Sequence, residues 1–131
     1  MRIALILVLC LSLLSPAHGA PLRTPPGEQV MAYGSDPAQT LDFWPGKTDS
    51  KPNIARPLVI FVHGGGWKRG SKDNATGRYK SVHYQQLGYA FASIDYRLVP
   101  GATVGQQAQG VADAVSRLRR RAATLGVDPG R

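Results

Sequence analysis

The residues with the clearest chemical character are His63-Gly64-Gly65-Gly66-Trp67, which follow the apolar run "LVIFV" at 58–62. Glycine has no Cβ, so a backbone of this kind adopts positive φ and approaches a ligand closely. Successive N–H groups can then face one concavity. Such a concavity holds the negative oxygen that develops when an ester carbonyl is attacked, and losing one donor typically costs about 2.7 to 4 kcal/mol of transition-state stabilisation. A plain turn and a phosphate-binding loop are the alternatives. "GGGWKRGSK" lacks the G-x-x-x-x-G-K-[ST] spacing, because Gly70 is followed by Ser71 rather than Lys. No G-x-G-x-x-G with a suitably placed acidic residue occurs either.

The surrounding elements must position that loop. "LVIFV" shows no alternation, so both faces of this strand are expected to be buried, as in a parallel sheet. A helix is predicted over about 76–87, with Gly88 ending it. "YAFASIDY" reads as the next strand, which completes a βαβ unit. Upstream, "EQVMAY" and "TLDFW" read as two strands joined by the turn residues "GSDPAQ", and a polar, Pro-rich loop follows. Downstream, Val104, Ala108, Val111, Val115, Leu118, Ala122 and Leu125 recur at helical spacing and predict one apolar stripe, stopped by Gly126.

The chain has 131 residues, and Lys plus Arg exceed Asp plus Glu by 16 to 8, a net charge of +8. Residues 1–19 have the layout of a secretory signal peptide: Arg2, an apolar run, then Pro and small residues, with cleavage near Gly19 or Ala20. An uncleaved anchor is the alternative; the run is short for a bilayer span. The expected location is secreted or periplasmic, with no stable membrane anchor. Residues 20–27 read as a flexible lead-in and 28–131 as the domain. Cleavage removes Arg2 and Cys10, leaving 15 − 8 = +7 and no thiol. The densest basic cluster, "RLRRR" at 117–121, avoids the apolar stripe and reads as a solvated face. With no nucleic-acid-binding signature beside it, no nucleic-acid partner is expected.

"VIFVHGGGW", "GYAFASIDYRLVP" and "QQAQGVADAVSRLRRRAATLGVDPGR" occur in that order. Together they resemble the N-terminal half of an α/β-hydrolase esterase, over about residues 28–131. The resemblance is to the secreted esterase/lipase group that includes acetyl-xylan and feruloyl esterases. "YGSDPAQTLDFW" resembles that group's opening hairpin. The implied fold is α/β: an N-terminal hairpin, a βαβ unit and a further helix on a mostly parallel, incomplete sheet. The resemblance makes Gly65 and Gly66 the oxyanion-hole donors, with Gly64 shaping the turn and His63 bracing the loop. Trp67 would wall the pocket or pack beneath the loop. Asp95 and Arg97 of "DYRL" would support the loop by hydrogen bonds and charge; an ordinary salt bridge at a strand end is the alternative for them. No organic cofactor or metal is implied, and the substrate would be a small-molecule or polysaccharide-linked ester.

The family also needs a Ser in G-x-S-x-G, then an Asp or Glu, then a His. No G-x-S-x-G is present; Ser35 and Ser71 lack its context, and His63 and His83 come too early in the order. The expectation is a chain cut before the nucleophile elbow and inactive by itself, with an open edge at strand 58–62, an aggregation hazard. Three other readings remain: a non-catalytic hydrolase-like binding module, an arylformamidase-like amidase fragment sharing an H-G-G-x-W loop, and a basic surface-binding protein. The loop's Lys68, Arg69 and Lys72 are too few, without further aromatic and basic residues, to favour the last.

Overall fold

The computed structural model describes residues 29–47, 54–73 and 79–131. The expected signal peptide (1–19), the lead-in (20–27) and the first turn of the expected first helix lie outside the described residues. The hairpin pairs β1 (Gln29–Ala32) antiparallel with β2 (Thr40–Trp44). Asp36 Oδ1 accepts from the Ala38 N–H at 2.8 Å in the turn between them, a local closure typical of Asp. β3 (Leu58–Val62), α1 (Lys80–Gln86) and β4 (Ala90–Ile94) form the βαβ unit. β3 and β4 run parallel, and β2 pairs with β4 antiparallel. The sheet is therefore mixed, in the order β1-β2-β4-β3.

α2 (Val104–Arg120) starts at a capping box: Thr103 Oγ1 accepts from the Gln106 N–H, and the Gln106 side chain accepts from the Thr103 N–H at 2.9 Å. Arg117, Arg119 and Arg120 stand in its last turn, where cations complement the helix dipole. α3 (Ala122–Leu125) follows. One core joins Leu41, Phe43, Ala92 and Ile94 of the sheet to Ala114, Leu118, Ala122 and Leu125 of the helices.

Three expectations need correction. The buried face of α2 is Gln107, Gly110, Ala114 and Leu118. It is not the full apolar stripe: Val104 is 45% exposed and Ala108 is exposed, while Val111 and Val115 are half-buried. The stripe holds from Leu118 to Leu125. Before that, the close-packed positions are small residues and a Gln that finds its partners inside, which apolar periodicity does not register. Second, β3 is not buried on both faces: Leu58 to Phe61 are half-buried and Val62 is 41% exposed. Its only strand partner among the described residues is β4. Third, the arginine cluster is only partly a solvated face. Arg119 and Arg120 are exposed, whereas Arg117 and Arg121 are half-buried and Arg121 Nη1 lies 3.3 Å from Met31 Sδ.

Candidate functional site

The loop from His63 to Asp73 leaves the C-terminal end of β3, and several of its carbonyls are engaged, some by the loop itself and some by other elements. His63 O accepts from the Tyr96 hydroxyl at 2.7 Å. Gly64 O accepts from His63 Nδ1 at 2.9 Å. Gly65 O accepts from the Lys68 and Arg69 N–H groups, both at 3.3 Å. Trp67 O accepts from the Val99 N–H at 3.0 Å and from Gln107 Nε2 at 3.2 Å. By contrast, among the described residues no backbone carbonyl accepts from the N–H of Gly65 or Gly66. Backbone donors are strong, obligatory hydrogen-bonding groups. Two neighbouring amides left free of the backbone, on a loop whose carbonyls are occupied, are suited to an anionic oxygen.

The conformational demand falls on different glycines from the one expected. Gly65 has φ 138° and a Cβ there would overlap the Arg69 carbonyl. Gly70 has φ 112°, and a Cβ there would overlap the Gly64 carbonyl and the His63 ring. Gly64, the expected turn-shaper, is not at positive φ, and a Cβ on it meets nothing within 4 Å. Gly70 has no place in the glycine triplet, so the sequence offered no sign of its part. Trp67 takes φ 68°, unusual for a bulky residue, and is 49% exposed. Its ring is therefore not packed beneath the loop.

His63 is 3% exposed and stacks on Tyr96, with ring centroids 4.3 Å apart and planes 9° from parallel. A carbonyl accepts only, so Nδ1 carries a proton towards Gly64 O. Nε2 is buried without a hydrogen-bond partner, 3.7 Å from Asp95 Oδ1. His63 thus sits inside the loop as a brace. Asp95 Oδ1 accepts from the Lys72 N–H at 2.5 Å. Burial raises the Asp95 carboxyl above its usual range, against the opposing pull of the Lys72 hydrogen bond and the Lys72 and His63 charges. The Tyr33 hydroxyl donates to Asp95 O at 2.5 Å; burial, aided by the Asp95 charge, pushes Tyr33 up to about 12. Arg97 is half-buried and forms no ion pair with Asp95 among the described residues. The partners of Asp95 are His63 and Lys72 instead.

Lys72 is the residue that sequence reasoning misplaced. Grouped with Lys68 and Arg69 as a surface base, it is instead a strap. Its Nζ bonds buried Asp42 Oδ1 of β2 at 2.8 Å, and its carbonyl accepts from Ser93 Oγ of β4 at 2.8 Å. Lys68 and Arg69 are exposed. The available signal was Asp42 itself: a carboxylate inside the apolar "TLDFW" strand needs a counter-charge.

No Ser hydroxyl among the described residues bonds a His ring. Ser71 Oγ accepts from the Asp73 N–H, Ser93 is taken up by Lys72, and His83 is exposed on α1 against Tyr84. Two cavities, of about 180 and 440 Å³, have no residue of the 63–73 loop in their linings.

The BD-FAE family matches residues 41–131. Esterase LipC of Mycobacterium tuberculosis is 36% identical over 92 residues, covering 62% of this chain and 22% of that protein. The probable isoprenylcysteine alpha-carbonyl methylesterase ICME of Oryza sativa subsp. japonica is 32% identical over 97 residues, covering 74% and 22%. Among solved structures, the propionate-bound thermophilic esterase Est2 of Thermogutta terrifontis superposes with a TM-score of 0.68 at 30% identity. That match covers 79% of this chain and 39% of the esterase. The chain thus spans 22% of the length of either curated relative. With a match reaching from the middle of the hairpin through the glycine loop to the last helix, the chain belongs to the BD-FAE family of the α/β-hydrolase superfamily.

Proposed function

We propose that this chain carries the oxyanion half of a secreted serine carboxylic-ester hydrolase. The observation that carries the reading is the pair of amides at Gly65 and Gly66, which no backbone carbonyl among the described residues takes up, beside the engaged carbonyls of His63, Gly64, Gly65 and Trp67. Esterases among its relatives support it. In the reaction, a Ser hydroxyl deprotonated by a His attacks the ester carbonyl, and the carbonyl oxygen takes up negative charge. The Gly65 and Gly66 N–H groups would hold that charge, together with the N–H of the residue after the nucleophile. No Ser here has the G-x-S-x-G context, so the attacking Ser and its base are proposed to lie outside these 131 residues, which by themselves are proposed to be inactive. His63 braces the loop, Asp95 and Lys72 fix its far end, and Trp67 stands exposed beside the glycines. The substrate is proposed to be a small-molecule or polysaccharide-linked ester met outside the cytoplasm, in keeping with the signal-like residues 1–19.

Hydrolysis of p-nitrophenyl acetate and butyrate tests this, on the 131 residues and on any longer product of the same reading frame. The short chain should show no turnover above buffer. In the longer product, Gly65→Pro removes one donor and also distorts the turn, because Pro cannot take φ 138°, so turnover should fall by at least about 10²- to 10³-fold. Turnover by the 131 residues that survives Gly65→Pro would sink the account.

A further inference from the structure

We propose that Gln107, on α2, is a positioning residue that sets the direction of the Gly65 and Gly66 amides by holding the carbonyl of Trp67. The inference rests on the oxyanion reading for its functional meaning, but on geometry for its substance. Trp67 is a bulky residue in the left-handed region, with φ 68°. Such a conformation persists only where the surroundings over-determine it. Two donors converge on its carbonyl: the Val99 N–H at 3.0 Å and Gln107 Nε2 at 3.2 Å. Gln107 is 1% exposed, and the same Nε2 also donates to Ala102 O at 3.3 Å. Two carbonyl acceptors at one end of the amide fix its orientation, because only the NH₂ end can donate. Gln107 Oε1, at the other end, is buried without a hydrogen-bond partner in the structure. A buried Gln tolerates that loss only while its donor end is fully used.

The chain of effects is short. The Trp67 carbonyl is the last of the engaged carbonyls of the glycine turn. If it is free to rotate, the left-handed Trp67 relaxes, the Gly66–Trp67 peptide turns with it, and Gly66, itself at φ 61°, passes the change to the Gly65–Gly66 peptide that carries a donor N–H. Gln107 therefore ties α2, an element otherwise devoted to the core, to the anion-facing side of the loop.

Residue-resolved hydrogen exchange and amide chemical shifts test this without any substrate. Gln107→Leu keeps the bulk and removes the donor. The Val99 N–H, bonded to the same carbonyl, should then exchange about fivefold faster, the change expected for one net hydrogen bond. The Gly65 and Gly66 amide resonances should shift. The Tyr33 N–H, bonded to Gln39 O, and the Asp95 N–H, bonded to Thr40 O, should stay as they were. Gln107→Glu adds a pH signature: ionised, the introduced carboxyl only accepts, while protonated it donates once. Its loop should match Gln107→Leu at neutral pH and return towards the parent protein in acid. If Gln107→Leu does not fold, this acid reversal decides by itself. The proposal is overturned if Val99, Gly65 and Gly66 do not respond, if they move in step with Tyr33 and Asp95, or if acid restores nothing. Because no ester is involved, a positive result here with no ester turnover by the longer product of the reading frame would remove the hydrolase reading and leave the positioning role standing.

Discussion

β3 and β4 lie side by side in parallel register, from Leu58 opposite Ala90 to Val62 opposite Ile94. "LVIFV" is the more apolar of the two, yet it is the less buried. Every residue of "AFASI" is buried, whereas β3 is half-buried and ends at an exposed Val62. The difference lies in the neighbours. β4 has β2 on one side and β3 on the other. Beyond β4, β3 meets the backbone at its start, where the Leu58 N–H donates to Arg131 O at 3.1 Å and Arg56 bridges Val127. Hydrophobicity indicates where a strand forms; the partners on its two sides and two faces decide how deep it lies. The small side chains of β4 fit the same rule, since close packing on every side leaves room for Ala and Ser.

Three perturbations should widen or erase that contrast. The largest effect is expected from Lys72→Met, which removes the strap across β2 and β4 and strands the Asp42 carboxylate. Breaking a buried pair this way costs about 3 to 5 kcal/mol. Urea unfolding reads it, and adding Asp42→Asn should recover much of the loss; a cost under about 1 kcal/mol would mean that water already screens the pair. Next, Ile94→Ala in β4, where the side chain is fully buried, should cost about 2 to 5 kcal/mol. Its register partner change Val62→Ala should cost less than about 1 kcal/mol, because the side chain is already 41% exposed. Equal costs would erase the distinction between the strands.

The smallest effect concerns pH. The Asp95 carboxyl is raised in the folded protein, chiefly by burial. A raised acid favours the fold fully below its unfolded value of 3.8, and that contribution is lost as pH rises through the folded value. Stability should therefore carry a downward component above about pH 4 that Asp95→Asn abolishes. Denaturant midpoints across pH 4 to 7 that are parallel in the two proteins would contradict it.

Much of this was legible in the residues. The hairpin, the βαβ order and the glycine loop follow from turn residues, apolar runs and a motif of short range. What escaped depends on contacts between distant positions. Gly70 matters because its Cβ would strike His63 and Gly64, a clash visible only once the loop is closed. Gln107 is buried because two carbonyls from elsewhere meet its amide. Lys72 looked like a solvated base, and only the pairing of β2 beside β4 brings Asp42 within its reach. The outer stripe of α2 failed for the same reason: a Gln whose amide NH₂ meets two distant carbonyls and a Gly close to Tyr33 take the buried positions instead of the valines.

The glycine loop grows out of β3, but its tertiary moorings lie elsewhere: Asp42 on β2, Ser93 on β4, Asp95, Tyr96 and Val99 just after it, and Gln107 on α2. The shape of the glycine turn is thus held mainly from outside β3, the strand that leads into it. The strand that sets where the turn begins is therefore not the one that sets its form: changes at the exposed Val62 should leave the contacts at Asp42, Ser93, Tyr96 and Gln107 in place.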